Sequence, residues 1–418
     1  MRTLAMTIAV MTLVACGGSS VHKRTKSTSA SASDVHPAHG TTTKSPPKIH
    51  PRSKTESTAK IPPEKVRVAA SISYPVKPKK PLLPPMAKAL TIAAVGDIML
   101  GSTFPRGKRL PPHDGSRVLE GVKKTLSAAD VTFGNLEGPM IDGGRSAKCA
   151  RMRKRPGKRK TCYAFRMPTR YGQYLADAGF DMLSLSNNHA MDFGLQGRES
   201  TKSCLTKLGI AHASAPGTIA ERTVKGVKVG MLAFATAWHS HDLRKIDDAV
   251  KVVKAAAARY QILMVSFHGG AEGRRAQRVP HGTEYYLREN RGDLRKFARA
   301  VIDAGADLVI GHGPHVVRGM EVYKDRLIAY SLGNFATHSF IMSGQYGIAY
   351  ILEAKVSNEG KFISGVIRPT KQSQVKGTTP DPRGRVIPVL RRLSNADFGA
   401  SAVTIENDGR FTAAKPSP

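Results

Sequence analysis

The chain is poor in acidic and in aromatic residues. Its 418 residues include 31 Asp and Glu against 65 Lys and Arg, a formal net charge of +34, while aromatic residues make up 6%. Such an excess of positive charge predicts attraction to a polyanion, whether nucleic acid, anionic lipid or an acidic capsular polymer. The sequence contains none of the familiar nucleic-acid-reading motifs and no basic surface rich in stacking aromatics. Nucleic acid is therefore the least favoured of the three partners.

Cysteine is also scarce, and the chain has no apolar run long enough to span a bilayer. Four cysteines without a Cys-x-x-Cys pair argue against a thiolate zinc site. The apolar run 4–15 is typical of a secretory signal peptide. It ends in the letters LVACG, which resemble a bacterial lipobox, where cleavage before Cys16 leaves that cysteine to carry a lipid. The alternative is ordinary secretion with an incidental Cys16. Both interpretations place the mature protein outside the cytoplasm, and the first anchors it to a bacterial membrane.

The remaining cysteines are Cys149, Cys162 and Cys204. In an oxidising compartment Cys149 and Cys162 could close the basic loop CARMRKRPGKRKTC by a disulfide, which would stabilise the fold by roughly 2–3 kcal/mol. That loop is either a solvated charged surface or a site that binds a polyanion. Cys204 lies in a helical pattern and is expected to be a small buried side chain.

The composition divides the chain into four segments. Residues 1–16 are the predicted lipoprotein signal peptide, and residues 17–89 form a Ser-, Thr-, Lys- and Pro-rich linker. This linker has too few apolar residues to fold, so we expect a disordered, basic tether that would also bind anionic headgroups. The predicted folded domain covers residues 90–370. Residues 371–418 are a C-terminal extension of uncertain structure.

Strand-like and helix-like segments alternate from residue 90 onward. Short apolar runs such as TIAAVG, DVTFG, QILMVSF and ADLVIG are typical of strands buried on both faces. Helical patterns such as YGQYLADAGF, DDAVKVVKAAAARY and DLRKFARAVIDAG lie between them. This alternation predicts an α/β domain whose sheet is buried between helices.

Polar side chains follow five of these apolar runs where each strand is expected to end. In open α/β sheets, ligands bind at the carboxyl ends of the strands. Each residue alone has a structural explanation, since an Asp or Glu often caps a helix and a loop histidine often has an ordinary partner. Together they form a set of oxygen and nitrogen donors without sulfur, which suits Mn, Zn, Fe or Mg. The strand-end residues are Asp97, Asn135, Glu137, Asn187, Asn188, His189, His268, Glu272, His312 and His315.

Six motifs in this order resemble the CapA family of capsule-synthesis and poly-gamma-glutamate-associated proteins. They are VGDIMLG, FGNLEGP, LSLSNNHAMDFG, SFHGGAEG, GHGPHVVRGMEVY and AYSLGNF, and they cover roughly residues 91–335. The family is similar to calcineurin-like metallophosphatases, so the resemblance implies an αββα sandwich with buried sheets. It also implies a divalent-metal site whose ligands are Asp97, Glu137, Asn188, His268, His312 and His315.

The resemblance further implies roles for residues around that metal. His189 would act at the reacting centre, Asp192 would orient His189, and Asn334 would line the same mouth. The chain departs from the metallophosphatase pattern at Met99, where a histidine is usual, and in GHGPH, which has one extra residue. Since Met99 is a poor ligand for a hard ion, one metal, or a weakened second one, is expected.

Two functions follow from the sequence. The first is metal-dependent hydrolysis or transfer on an anionic substrate, either a phosphoester or a gamma-linked glutamyl polymer, in capsule or poly-gamma-glutamate biosynthesis. The second is a non-catalytic, surface-anchored factor that binds acidic polymer for synthesis, export or attachment alongside capsule-synthesis machinery. The second gains weight from Met99 and from the positive charge, and a metal-free structural domain is a third interpretation.

Overall fold

The computed structural model describes residues 88–105, 109–152, 162–338 and 340–414, with the side chains of residues 151 and 152 excepted. The signal peptide 1–16 with Cys16, and the linker up to residue 87, lie outside the described residues and remain predictions. Among the helices of the described ranges, none has the length and apolar character needed to cross a membrane.

The strands begin at Ala89, one residue before the predicted start of the folded domain and within the last predicted residue of the linker, and continue almost to the last described residue. In chain order they are β1 (Ala89–Met99), β2 (Val131–Leu136), β3 (Met182–Ser184), β4 (Ala211–Ala213), β5 (Ala220–Val224), β6 (Val227–Ala235), β7 (His241–Asp242), β8 (Ile262–His268), β9 (Glu284–Tyr286), β10 (Glu289–Gly292), β11 (Leu308–His312), β12 (Met320–Tyr323), β13 (Arg326–Ala329), β14 (Asn334–Thr337), β15 (Ile348–Ser357), β16 (Phe362–Ser373), β17 (Gly377–Pro380), β18 (Thr404–Ile405) and β19 (Arg410–Thr412).

The α-helices connect these strands or follow them. They are α1 (Lys123–Leu126), α2 (Ala147–Met152), α3 (Gly172–Asp177), α4 (Gly194–Lys207), α5 (Ile246–Ala257), α6 (Leu294–Asp303) and α7 (Val386–Phe398). Asp293 caps the N-terminus of helix α6: its side chain accepts a hydrogen bond from the backbone N–H of Lys296 and so satisfies an otherwise free donor. Short 3₁₀ turns lie at Pro112–Gly115, Glu120–Val122, Thr169–Tyr171, Arg274–Ala276, Gly344–Gly347 and Gly399–Ser401.

The strands form two large sheets. The first has the order β18-β19-β16-β15-β1-β2-β3-β4, with β14 beside β1 and β17 beside β16. The second has the order β12-β13-β11-β8-β6-β5, with β7 beside β6. Neighbours β1, β2, β3 and β4 run parallel in the first sheet, and β6, β8, β11 and β13 do so in the second. Parallel strands direct their carboxyl ends toward one edge, where a site can form.

The apolar side chains form three layers. The middle layer joins the facing surfaces of the two sheets, with Ile92 and Phe133 from one and Met264 from the other. An outer layer packs the first sheet against α3 and α4, and the other packs the second sheet against α5 and α6. Strands with both faces covered explain the continuous apolar runs of the sequence. The predicted αββα sandwich is confirmed.

Strand β1 changes its neighbour at the residue before the site. Residues 89–94 of β1 pair with β15, and residues 97–99 pair with β14. Gly96 allows this change because it has no Cβ atom. In any other residue the Cβ would lie 2.0 Å from the carbonyl oxygen of Gly333 and clash with it. The backbone N–H of Asp97 instead donates to that oxygen at 2.9 Å. A side chain at position 96 would therefore separate β1 from the segment leading to Asn334.

The C-terminal residues continue the first sheet. The domain boundary that the sequence suggested at residue 370 lies within β16, which pairs with β17 on one part of its length and with β19 on another. Gln372, beyond that boundary, donates to the carbonyl of Asn334 at 2.8 Å and accepts from the backbone N–H of Thr337 at 2.6 Å. Residues after 370 therefore support the strand β14 that adjoins Asp97.

A buried ion pair holds the loop after β8. Arg318 donates to both carboxylate oxygens of Glu284, at 2.9 and 2.7 Å, and to the carbonyls of Ala271 and Ala276. The side chains of Arg318 and Glu284 are only 0% and 5% exposed. Because each charge is desolvated, each depends on the other for its compensation.

Removing one member of this pair should destabilise the fold strongly. We expect Arg318→Met to lower the free energy of unfolding by about 3–5 kcal/mol, since Glu284 would be left charged and buried. Denaturant unfolding of the purified protein measures the change. The matched control is Arg170→Met, which breaks the exposed pair with Asp114 and should cost less than about 1 kcal/mol. Equal losses in the two variants would contradict the assignment.

Candidate metal centre

The site lies where the strands of both sheets end. In the first sheet, Asp97 is in register with Asn135 of β2 and with Asn334 of β14. In the second, His268 ends β8 and is in register with His312, which ends β11. Residues in register on neighbouring strands point to the same side, so each sheet presents a row of polar side chains at its carboxyl end.

Two buried carboxylates and one imidazole form the centre of the site. Asp97, Glu137 and His268 each offer one donor atom, and these atoms lie within 4.8 Å of one another. The Nε2 atom of His268 is 3.6 Å from Oε1 of Glu137. All three side chains are buried. Groups this close without a direct hydrogen bond are spaced as ligands around a shared ion would be.

His315 spans the two carboxylates. Its Nδ1 atom is 3.1 Å from Oδ2 of Asp97 and 3.0 Å from Oδ1 of Asn334, and its Nε2 atom is 3.7 Å from Oε1 of Glu137. The backbone of His315 is left-handed, with φ of 58°. Such a conformation is costly for a non-glycine residue and is typical of functional positions.

His312 presents one free ring nitrogen. Its Nε2 atom lies 3.1 Å from the carbonyl oxygen of Val95, which can only accept, so Nε2 carries the proton. The Nδ1 atom therefore holds the lone pair, and it is buried without a hydrogen-bond partner. Burial lowers the pKa of His312 to about 4, against the opposing charge of Asp97. A neutral imidazole with an unused lone pair has the form that a metal ligand requires.

The donor set fits a divalent cation. Buried polar atoms without hydrogen bonds are uncommon in folded proteins, and several are concentrated here. All are nitrogen or oxygen, and none is sulfur, which suits Mn, Zn, Fe or Mg. The atoms at the site that have no hydrogen bond are Asp97 Oδ2, both Glu137 carboxylate oxygens, both His268 ring nitrogens and His312 Nδ1; Asn188 Oδ1 is likewise buried without a hydrogen bond.

The electrostatics favour a positive charge between the carboxylates. Burial alone would raise the pKa of Glu137, but His315, His268 and His189 outweigh it and hold that pKa well below its usual range. Burial would likewise lower the pKa of His315, but Glu137 and Asp97 outweigh it and raise that pKa to about 10. The two carboxylates thus favour a positive charge between them, either a proton on His315 or a metal ion, which would displace that proton if His315 became a ligand.

Met99 does not face the donor atoms as a ligand would. It is 1% exposed and packs in the outer apolar layer of the first sheet with Leu100, Leu136 and Phe335. A thioether in apolar surroundings adds packing and no ligand for a hard ion. The number of metal ions, one or two with the second weakened, stays a prediction.

His189 and Asp192 stand beside this cluster. The Nδ1 atom of His189 is 2.8 Å from Oδ2 of Asp192, and its Nε2 atom is 4.0 Å from Oε1 of Glu137. Since an ionised carboxylate only accepts, Nδ1 donates to Asp192 and Nε2 faces the cluster. An imidazole oriented by a carboxylate can exchange a proton with a group bound at the centre.

The sequence did not reveal how these groups are supported. Asn135 donates to Asp97 Oδ1 at 2.8 Å, and Asn187 donates to Asn135 at 3.2 Å and accepts from the backbone N–H of His189 at 3.1 Å. This carboxamide chain joins Asp97 to His189. Lys148, whose Nζ is 3.1 Å from Asp192 Oδ1, and Phe165, whose ring lies 4.1 Å from that of His189, were also missed. Neither carries a motif that marks it.

A family model described as "Bacterial capsule synthesis protein PGA_cap" matches residues 91–339. Similar curated proteins include PGA biosynthesis protein CapA of Bacillus subtilis, 28% identical over 263 residues, which are 59% of this chain and 63% of that protein. Capsule biosynthesis protein CapA of Bacillus anthracis is 28% identical over 272 residues, 59% of each chain. The chain thus spans about three fifths of the length of these relatives.

Solved structures with a related arrangement include a 5'-nucleotidase precursor from Thermus thermophilus and purple acid phosphatase PPD1 from yellow lupin. The first has a TM-score of 0.38 and 14% identity and covers 73% of this chain and 58% of that one. The second has a TM-score of 0.36 and 8% identity and covers 72% and 56%.

The cluster should bind a divalent cation in solution. We expect His268→Ala combined with His312→Ala to abolish binding of Mn²⁺ or Zn²⁺, because two of the nitrogen donors are removed. Elemental analysis and equilibrium dialysis of the folded protein measure the metal content. The control is His281→Ala, since His281 is exposed. Metal added at 100 times its Kd should also stabilise the unsubstituted chain by about 2.7 kcal/mol, and so raise its melting temperature. Full metal content in the double variant would refute the assignment.

Proposed function

Because the chain belongs to the bacterial capsule synthesis protein PGA_cap family, we propose that it serves capsule biosynthesis through metal-dependent hydrolysis or transfer on an anionic substrate. The observation that carries this proposal is the cluster of buried, unpartnered donors around Asp97, Glu137 and His268, faced by the oriented imidazole of His189. A purely structural cluster would gain stability by pairing these atoms, so leaving them free is costly unless a ligand binds.

A divalent cation held there would supply Lewis acidity that activates water and polarises an oxygen of the substrate. Asp97, Glu137, His268 and His312 would hold it, with Asn188 and His315 completing the set. Side chains of the protein would carry out the proton transfer. Asp192 keeps the Nδ1 proton of His189 in place, so that Nε2 is the atom that can transfer a proton to or from the leaving group.

The substrate class we propose is an acidic polymer or a phosphoester. The curated relatives are named for PGA and capsule biosynthesis, and the net charge of +34 favours association with a polyanion. We also propose that the protein acts outside the cytoplasm, attached to the membrane by a lipid on Cys16 and by the basic linker. The lipobox-like letters LVACG support this location.

A second function is a non-catalytic factor that binds acidic polymer and works with capsule-synthesis machinery. The burial of Met99 among apolar side chains favours it, because a site with one metal lacks the second cation that two-metal hydrolysis uses. The two functions differ in turnover and can be separated by experiment.

Turnover should depend on His189 and Asp192 without any change in bound metal. With Mn²⁺ present, we expect His189→Gln and Asp192→Asn to lower kcat on phosphoesters or poly-gamma-glutamate by about 10²–10⁴-fold, as loss of general acid–base catalysis does. Product release is measured alongside metal content, and chelation should abolish the activity of the unsubstituted chain. His281→Gln serves as the control.

Salt-sensitive binding of poly-gamma-glutamate without turnover would instead identify the binding factor. In that case His189→Gln would leave both the affinity and its salt dependence unchanged. Loss of affinity in that variant, again with no turnover, would place the polymer at the metal centre rather than elsewhere on the basic surface.

The anchor is tested separately from the site. We expect Cys16→Ser to move the protein from the membrane fraction to the soluble fraction of a bacterial host that processes lipoproteins, because no lipid can be attached. Fractionation with metabolic labelling by a fatty acid measures the shift. Membrane retention and labelling that persist in the variant would contradict lipidation at this residue.

A further inference from the structure

The hydrogen bond between His189 and Asp192 is supported from outside its own turn. Asp192 Oδ2 accepts from His189 Nδ1 and also from the backbone N–H of Phe165, both at 2.8 Å. The second oxygen, Oδ1, lies 3.1 Å from the ammonium of Lys148. The carboxylate is therefore fixed by two residues that are 44 and 27 positions away from it along the chain.

The first supporting segment, residues 146–149, reaches Asp192 from one side. Ser146 donates its hydroxyl to the carbonyl of Asp192 at 2.9 Å, and the backbone N–H of Lys148 donates to that carbonyl at 3.3 Å. The Lys148 ammonium also donates to the carbonyl of Asn188 at 3.4 Å. The segment is tied internally by the N–H of Cys149, which donates to Ser146 at 3.2 Å.

The second supporting segment, residues 162–165, reaches the pair from the other side. Besides its backbone contact with Asp192, Phe165 places its ring 4.1 Å from the His189 ring, with the two planes tilted by 30°. Phe165 also contacts Phe340, with ring centroids 5.2 Å apart. The imidazole is thus packed against a buried aromatic face that limits its rotation.

The disulfide between Cys149 and Cys162 joins these two segments. Their Cα atoms are 5.7 Å apart, and the cysteines lie one residue from Lys148 and three residues from Phe165. The twelve residues between the cysteines include seven Lys and Arg, which repel one another. Without a covalent link, that repulsion favours separation of the two segments, and with it separation of Lys148 and Phe165 from the pair they hold.

We propose that the Cys149–Cys162 disulfide is a positioning element of the site, which acts through Lys148 and Phe165 to hold the hydrogen bond from His189 to Asp192. Lys148 and Phe165 are positioning residues, since they contact His189, Asp192 and the backbone of Asn188 and supply no donor atom to the cluster. The proposal rests on the proposed function only for the part that His189 plays in turnover. The contacts of Lys148 and Phe165 with Asp192 and His189 form without any substrate or metal.

The experiment compares the full chain with Cys149→Ser/Cys162→Ser, Lys148→Met and Lys148→Arg. In histidine-labelled protein, the hydrogen-bonded Nδ1 proton of His189 should give a low-field NMR resonance, which His189→Gln identifies. We expect the resonance to be lost in the double serine variant and in Lys148→Met, and to return in Lys148→Arg. Metal content should stay unchanged, and kcat should fall by about 10–100-fold with little change in KM.

The matched control is Cys204→Ser, which removes the free half-buried thiol and leaves the supporting segments intact. Circular dichroism checks that each variant is folded, and if the double serine variant is not, mild reduction of the folded chain replaces it. An unchanged low-field resonance after loss of the disulfide overturns the proposal, whatever the activity. Loss of the resonance in a protein that shows no turnover before substitution supports the positioning role and refutes the proposed function instead.

Discussion

Two carboxylates, Asp97 and Glu137, are buried side by side at the end of a sheet, and the rest of the structure depends on how their charge is compensated. Asp97 and Glu137 are shielded from water, and most of their oxygens accept no hydrogen bond. Burying a carboxylate is costly unless positive charge or a bound cation compensates for it. Three imidazoles from separate segments, His189, His268 and His315, lie within 4.0 Å of the same Glu137 oxygen. A site that concentrates buried donor atoms without hydrogen bonds in this way is arranged for binding rather than for stability.

The sandwich makes that concentration possible because each sheet contributes to the site from its own end. The first sheet brings the carboxylates, and the second brings His268 and His312 in register. The two rows meet where β1 exchanges its neighbour β15 for β14. In open α/β sheets, ligands bind at the carboxyl edge where the order of the strands changes. The site therefore forms only when the two sheets pack together.

The parts of the structure that sequence reasoning predicted are those with a local signature. Apolar runs mark the strands, and the residue after each run marks the site, which is how Asp97, His268 and His312 were identified. Contacts between distant segments left no such signature.

Lys148 and Phe165 lie in a stretch whose only visible feature is its charge and its cysteines, and nothing in the sequence says that both approach Asp192. The carboxamide chain from Asn135 through Asn187 was missed for the same reason. Asn135 lies near the end of β2 and Asn187 follows β3, as ligands would, but their side chains hydrogen-bond to Asp97, to one another and to the backbone. Pairing between β1 and β14, separated by more than 200 residues, depends on the tertiary fold alone.

Gln372 gives the outer limit of the site along the chain. It lies 33 residues beyond the last position matched by the family model, residue 339, yet its amide group holds both the carbonyl of Asn334 and the N–H of Thr337. A protein shortened to the matched segment would retain every ligand and still lack the side chain that fixes the strand beside Asp97. The span recognisable by homology is therefore smaller than the smallest piece of this polypeptide that can be expected to work.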